Sequence, residues 1–190
     1  FTIVKEICGI LILSISSAYS EVSMIAIQFP NLKSCMAKLL LSPTFDPFYF
    51  IEGEIVTYST FSIDGRFHSD FFSEEDLQEY KEIPEYSYWK DIREFCFSLI
   101  KGRRTPLSFK LIFGLDSAQI AKLLSFADTA FTSNDVQGAF LNFRYDGTSL
   151  QCITGTSLNL FTLDKSLEQA FDLAIQKFLA QQEIPFELLS

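Results

Sequence analysis

The chain has 190 residues, 48% of them hydrophobic and 15% aromatic, with a formal charge of -9 at pH 7. That is enough apolar material for one domain with a real core. The acidic balance works against a broad nucleic-acid surface, so any DNA-facing patch has to be local. Cys8, Cys35, Cys96 and Cys152 stand far apart with no Cys-x-x-Cys pair, and His68 is the single histidine. That excludes the usual zinc spacings and reads as buried thiols in a reducing cytoplasm, not as a disulfide scaffold.

Residues 1–23, "FTIVKEICGILILSISSAYSEVS", lack an initiating Met and carry a short apolar run from Ile7 to Leu13 and a small-x-small triplet at Ala18, Tyr19 and Ser20. The pattern is that of a signal peptide, with an apolar run too short to span a bilayer. Met24, however, opens a strand-like segment, and a chain cleaved before it would keep an odd number of cysteines. Residues 1–23 are therefore read as an N-terminal arm or start-site segment and residues 24–190 as one domain in the cytoplasm, secretion being the alternative that a true signal implies.

From Met24 the strand "MIAIQF" leads into a helix through "NLKSCMAKLLLS", opened by Pro30 and Asn31 and closed by Pro43, with Leu32, Cys35, Met36, Leu39 and Leu40 on one face. After "PTFDP", the segment "FYFIE", a turn at Gly53, "EIVTYSTFSI", a second turn at Asp64 and Gly65, and "RFHSDFF" read as three strands, Asp-Gly being a strong hairpin signal. Residues 24–72 thus read as a βαβββ unit. The insert, residues 73–106, starts acidic with Glu74, Glu75, Asp76, Glu79 and Glu82 and continues into an amphipathic helix from Ser87 to Ile100 that Gly102 and Pro106 end.

Residues 107–163 repeat the order: strand "LSFKLIFGL", a helix from Asp116 to Phe126 capped by Asp116 or Ser117, strand "AFLNFRY", a hairpin at Asp146 and Gly147, "SLQCIT", a turn at Gly155 to Ser157, and "LNLFTL". Aligning Phe48 with Phe143 brings Gly53 and Gly147 to within one position of each other. A C-terminal helix from Ser166 to Gln181 and the tail "QQEIPFELLS" complete residues 164–190. The fold class expected is α+β, a single domain of duplicated βαβββ units with an inserted helix and a C-terminal helix.

The repeat, through "GEIVTYSTFSIDGRFH" and "GTSLQCITGTSLNL", resembles that of the DNA sliding clamps, over about 115 residues in two pieces, 24–72 and 107–163. The resemblance implies two sheets with both copied helices side by side on one face, edge-to-edge self-association, and a role in DNA replication or repair. This chain has two units, fewer than a clamp subunit, and few basic residues on the copied helices. From Met24 onward the chain also resembles, more closely, an uncharacterised family of bacterial proteins, through "KLLLSPTFD", "YWKDIREFCFSLIKGRRTPLSFK" and "TGTSLNLFTLDKSLE". That resemblance carries no activity.

The basic knot "KGRRT", with Lys101, Arg103 and Arg104 followed by Lys110, is the cluster suited to phosphate or a partner carboxylate; a helix C-terminus beside an exposed loop favours the same cations without any ligand. Lys33, Lys38 and Lys122 are the cations on the copied helices, so DNA contact would be weak and salt-sensitive. Arg93 and Lys90 extend the patch if they face the same way. In the tail, Ile184, Phe186 and Leu188 are suited to a partner groove or to the chain's own surface. His68, with Asp64 and Asp70 nearby, suggests a general base, but no nucleophile or orienting group can be named beside it. The acidic turns lack the spacing of a calcium loop, and "TGTS" at 154–157 lacks the lysine and helix of a phosphate loop. The expectation is a non-enzymatic binding or scaffolding module acting on a protein partner, with no cofactor, no metal and no membrane contact in residues 24–190. The alternatives are an unrecognised enzyme using His68 and the acidic turns, or a secreted binding protein.

Overall fold

The computed structural model describes residues 24–80 and 82–189. In chain order these form β1 (Ala26–Gln28), α1 (Leu32–Leu40), a 3-10 turn (Pro43–Phe45), β2 (Tyr49–Val56), β3 (Thr60–Asp64), a 3-10 turn (Ser69–Phe71), α2 (Glu74–Leu77), α3 (Trp89–Ile100), β4 (Ser108–Gly114), α4 (Ser117–Phe126), β5 (Val136–Tyr145), β6 (Leu150–Leu158), α5 (Ser166–Gln181) and β7 (Glu187–Leu189). The seven strands make one sheet in the order β3-β2-β4-β5-β6-β1-β7, and each neighbouring pair is antiparallel. The fold is α+β. The signal-like segment 1–23 lies outside the described residues.

Local chemistry sets the helix starts. The Asn31 side chain accepts from the Ser34 amide ahead of α1, and Asp116 and Gln119 form a reciprocal capping box that opens α4. The four longer helices then turn an apolar stripe toward the core: Cys35, Leu39 and Leu40 from α1, Trp89, Cys96 and Ile100 from α3, Ile120 and Leu123 from α4, and Leu167, Phe171, Ile175 and Phe178 from α5.

Strand register explains why one face of the sheet is covered and the other is not. Residues directly opposite one another across antiparallel strands share a face. Leu111, Phe143, Cys152 and Ile27 lie in one such row and Ile55, Phe109, Tyr145 and Leu150 in another; all are buried in the same core cluster as the helix stripes. On the opposite face, Glu54, Lys110, Arg144, Gln151, Gln28 and Glu187 form a continuous polar row across six strands. Among the described residues this α+β structure has two layers, with the helices on one side of the sheet and an open antiparallel face on the other.

Phe45 fastens the layers. It sits in the turn after α1, and its ring packs against Phe113 and Phe143 of the sheet and Phe178 of α5, with centroids 6.0, 5.4 and 5.6 Å away. The only tryptophan, Trp89, is fully buried against Phe113 at 4.9 Å and donates its indole N–H to the Leu39 carbonyl, 2.9 Å away. That bond satisfies one of the carbonyls left open at the C-terminal end of α1.

The expected units differ from those observed in three ways. There is one sheet, not two: β4, β5 and β6 are neighbours, whereas β1 lies beyond β6, far from β2 and β3. Each unit has two strands after its helix, not three. "RFHSDFF" makes only an isolated bridge from Arg66 to Tyr86 and then a 3-10 turn, and "LNLFTL" leaves the sheet at Leu158 as a loop. Nor do Gly53 and Gly155 make turns. β2 runs through Gly53 to a turn at 57–59, where the Thr57 amide bonds the Ser59 carbonyl, and β6 runs through Gly155. Gly53 and Gly147 are therefore not equivalent, one lying in mid-strand and the other in the β5–β6 turn at φ 97°. Helices α1 and α4 both bury apolar residues in the core cluster.

Candidate functional site

The structure places the candidate cations in three separate regions. Lys101, Arg103 and Arg104 are exposed in the loop that leads into β4, at the end of the sheet that also carries the 57–59 turn, because Val56 pairs with Ser108 there. Lys110 lies on the open face and pairs with Glu52 at 2.7 Å. Lys33, Lys38 and Lys122 belong to the helix layer on the other side of the sheet. Arg93 does not extend the knot, since it is held by Asp46, Nε to Oδ1 2.9 Å and Nη2 to Oδ2 3.2 Å. Burial raises Asp46 above the ordinary carboxylate value even with this guanidinium beside it.

The tail is taken up by its own chain. Ile184 is buried and Phe186 packs on the core, while Leu188, half-exposed, pairs with Ile27 as part of β7. Of the three residues suited to a partner groove, Leu188 keeps the most surface, while Ile184 is buried and Phe186 is partly buried against the core.

The acidic turn residues are engaged in shaping the backbone. Asp64 Oδ1 accepts from the Arg66 amide, Asp76 and Ser73 cap α2 reciprocally, and Asp146 accepts from the Thr148 and Ser149 amides, which hold its carboxyl well below the usual carboxylate range. His68 is exposed at the start of a 3-10 turn, not on a strand. "TGTS" lies within β6. Among the described residues no group of three or more His, Cys, Asp or Glu side chains is placed to hold a metal ion, and no helix is long and apolar enough to cross a membrane. Cys35, Cys96 and Cys152 are free and buried; desolvation pushes Cys35 and Cys96 up to about 12 and raises Cys152 as well.

Two features were not legible from sequence spacing. The first is the buried carboxyl of Asp172 on α5, which faces Thr154 of β6; burial pushes it up to about 6. The second is the loop 159–165 after β6. Phe161 is 95% exposed, Leu163 86% and Leu160 41%. The alternation in "LNLFTL" suggests a strand with one buried face, yet these three side chains are turned to water. Elsewhere, Phe71 is also 84% exposed beside the stacked pair Phe67 and Phe72.

The chain belongs to a family of unknown function, DUF5721, whose model matches residues 38–187. No curated protein and no solved structure matches it.

Proposed function

We propose that the chain is a non-enzymatic binding module that engages a protein partner through the loop 159–165. The observation that carries this reading is the exposure of Leu160, Phe161 and Leu163 together in one loop. Their apolar character is not accounted for by the core, since β6 ends at Leu158. Clustered aromatic and aliphatic side chains outside a core are the composition of interface centres. A reducing compartment is part of the proposal, in keeping with the free thiols Cys35, Cys96 and Cys152. The test is replacement of Phe161 and Leu163 by Ser: partner capture is lost while the thermal unfolding of the domain is kept.

A clamp-like scaffold on nucleic acid is the second reading. It is favoured by the knot, where Lys101, Arg103 and Arg104 make no ion pair among the described residues. Three phosphate contacts would give a salt slope of only about -3. Such contact suits transient association, not a high-affinity site. A titration with duplex DNA at low and physiological salt, with the oligomeric state read by light scattering, decides it: salt-sensitive binding by an assembled oligomer supports the clamp reading, and a monomer that ignores DNA removes it.

A further inference from the structure

β1 is three residues long, and β7 is joined to the sheet through β1. Whatever holds β1 therefore holds that end of the sheet. The chain enters β1 through Met24 at φ 62°, a sparsely populated conformation for a residue with a side chain. Next comes a short relay. The Ile25 amide donates to Thr154 Oγ1 at 3.0 Å, the Thr154 amide donates to the Ile25 carbonyl at 3.1 Å, and the Thr154 hydroxyl donates to Asp172 Oδ1 on α5.

Asp172 is 5% exposed, and its second oxygen, Oδ2, has no partner. One helical turn earlier, Glu168 Oε2 is also buried without a partner. Facing Asp172 are Glu168 from its own helix, the Thr154 hydroxyl from β6 and the Ile25 amide from β1. Among the described residues no Lys, Arg or His pairs with either carboxyl.

We propose that Asp172 is a proton-operated latch on the β1–β7 end of the sheet: with its proton it fastens β1 to β6, and without it β1 and β7 loosen together and bare the β6 edge. Ionisation sets a second negative charge beside Glu168 in a desolvated place with no countercharge. A three-residue strand at a sheet margin is the least costly element to lift so that water reaches those oxygens. Burial and the Glu168 charge push the group up to about 6, against the Thr154 hydrogen bond. The latch therefore closes in weakly acidic conditions and loosens toward neutrality.

Amide hydrogen exchange on the full chain tests this, with protection factors corrected for intrinsic exchange. Protection of residues 25–28 and 187–189 should be about 10-fold higher near pH 5 than near pH 7.5, while β4 and β5 do not change. Asp172→Asn should hold high protection at both pH values, and Glu168→Gln should shrink the difference without reversing it. Equal protection at both pH values in the wild-type chain overturns the latch, as does an Asp172→Asn variant that keeps the wild-type response. If that variant does not fold, the wild-type and Glu168→Gln comparisons decide the matter.

Discussion

Phe45→Ala tests whether the two halves of the sequence share one core. The Phe45 ring comes from the turn after the first helix and touches Phe48 at 5.9 Å, but its other partners, Phe113, Phe143 and Phe178, belong to β4, β5 and α5. The site is fully buried, so truncation removes the transfer free energy and leaves a cavity, about 3–5 kcal/mol for Phe→Ala. Four aromatic partners, at about 0.5–1.5 kcal/mol per pair beyond area, put the loss at the upper end of that range. Set against a total stability of about 5–15 kcal/mol, the variant is marginal, and Phe45→Leu, which keeps more of the volume, should cost about 1.5 kcal/mol or somewhat more. Urea unfolding read by Trp89 fluorescence and by far-UV circular dichroism measures both. Trp89 is the only tryptophan and is fully buried, so it reports opening of the core directly. The reasoning is refuted by a loss below about 1 kcal/mol for the alanine variant, or by two separate transitions in which Trp89 stays native while the rest unfolds.

Gly65→Ala should abolish or severely weaken folding, by more than about 2 kcal/mol, because a Cβ there would sit 1.8 Å from the Phe50 carbonyl oxygen; a normal melting temperature would contradict the register between β2 and the segment after β3. Asp172 has a folded pKa raised above its unfolded one, so its contribution is full below the ordinary carboxylate value and is lost as pH rises through about 6. Asp172→Asn should therefore melt above the wild type at neutral pH, with the advantage vanishing at low pH; a variant less stable throughout would refute this. Arg103→Ala with Arg104→Ala should reduce any DNA affinity and lower the salt slope by about 2, and an unchanged slope in the titration rules out direct phosphate contact by the knot.

The four longer helices were legible because their signals are local. Asp116 caps α4, the stripe Leu167, Phe171, Ile175 and Phe178 defines α5, and Gly102 and Pro106 follow α3. The glycines misled in the same way twice. In Gly53 a side chain would meet the Phe50 ring at 2.8 Å, and Gly155 lies under Met24, whose sulfur is 4.0 Å from where a Cβ would be. Gly53 is in a strand because the Phe50 ring needs the room, a tertiary reason invisible to turn chemistry, whereas a Cβ at Gly155 would make only ordinary contact. The position of β1 beside β6 depends on pairings such as Ile27 with Cys152, more than a hundred residues apart. Alternation alone does not fix such partners. The Asp172 and Thr154 contact was hidden likewise, since nothing in α5 marks an aspartate on its inner face as different from one on its outer face. The loop 159–165 was legible as apolar but not as exposed.

The central claim, that loop 159–165 is the partner-binding surface, is tested most directly by placing a photo-crosslinking side chain at position 161 in cells, with position 58 as control, since Tyr58 is equally exposed at 94% but lies at the other end of the sheet. One protein should crosslink from position 161 and not from position 58, and be lost when Leu163 is replaced by Ser. Crosslinking of equal pattern from both positions, or of nothing from position 161, contradicts it.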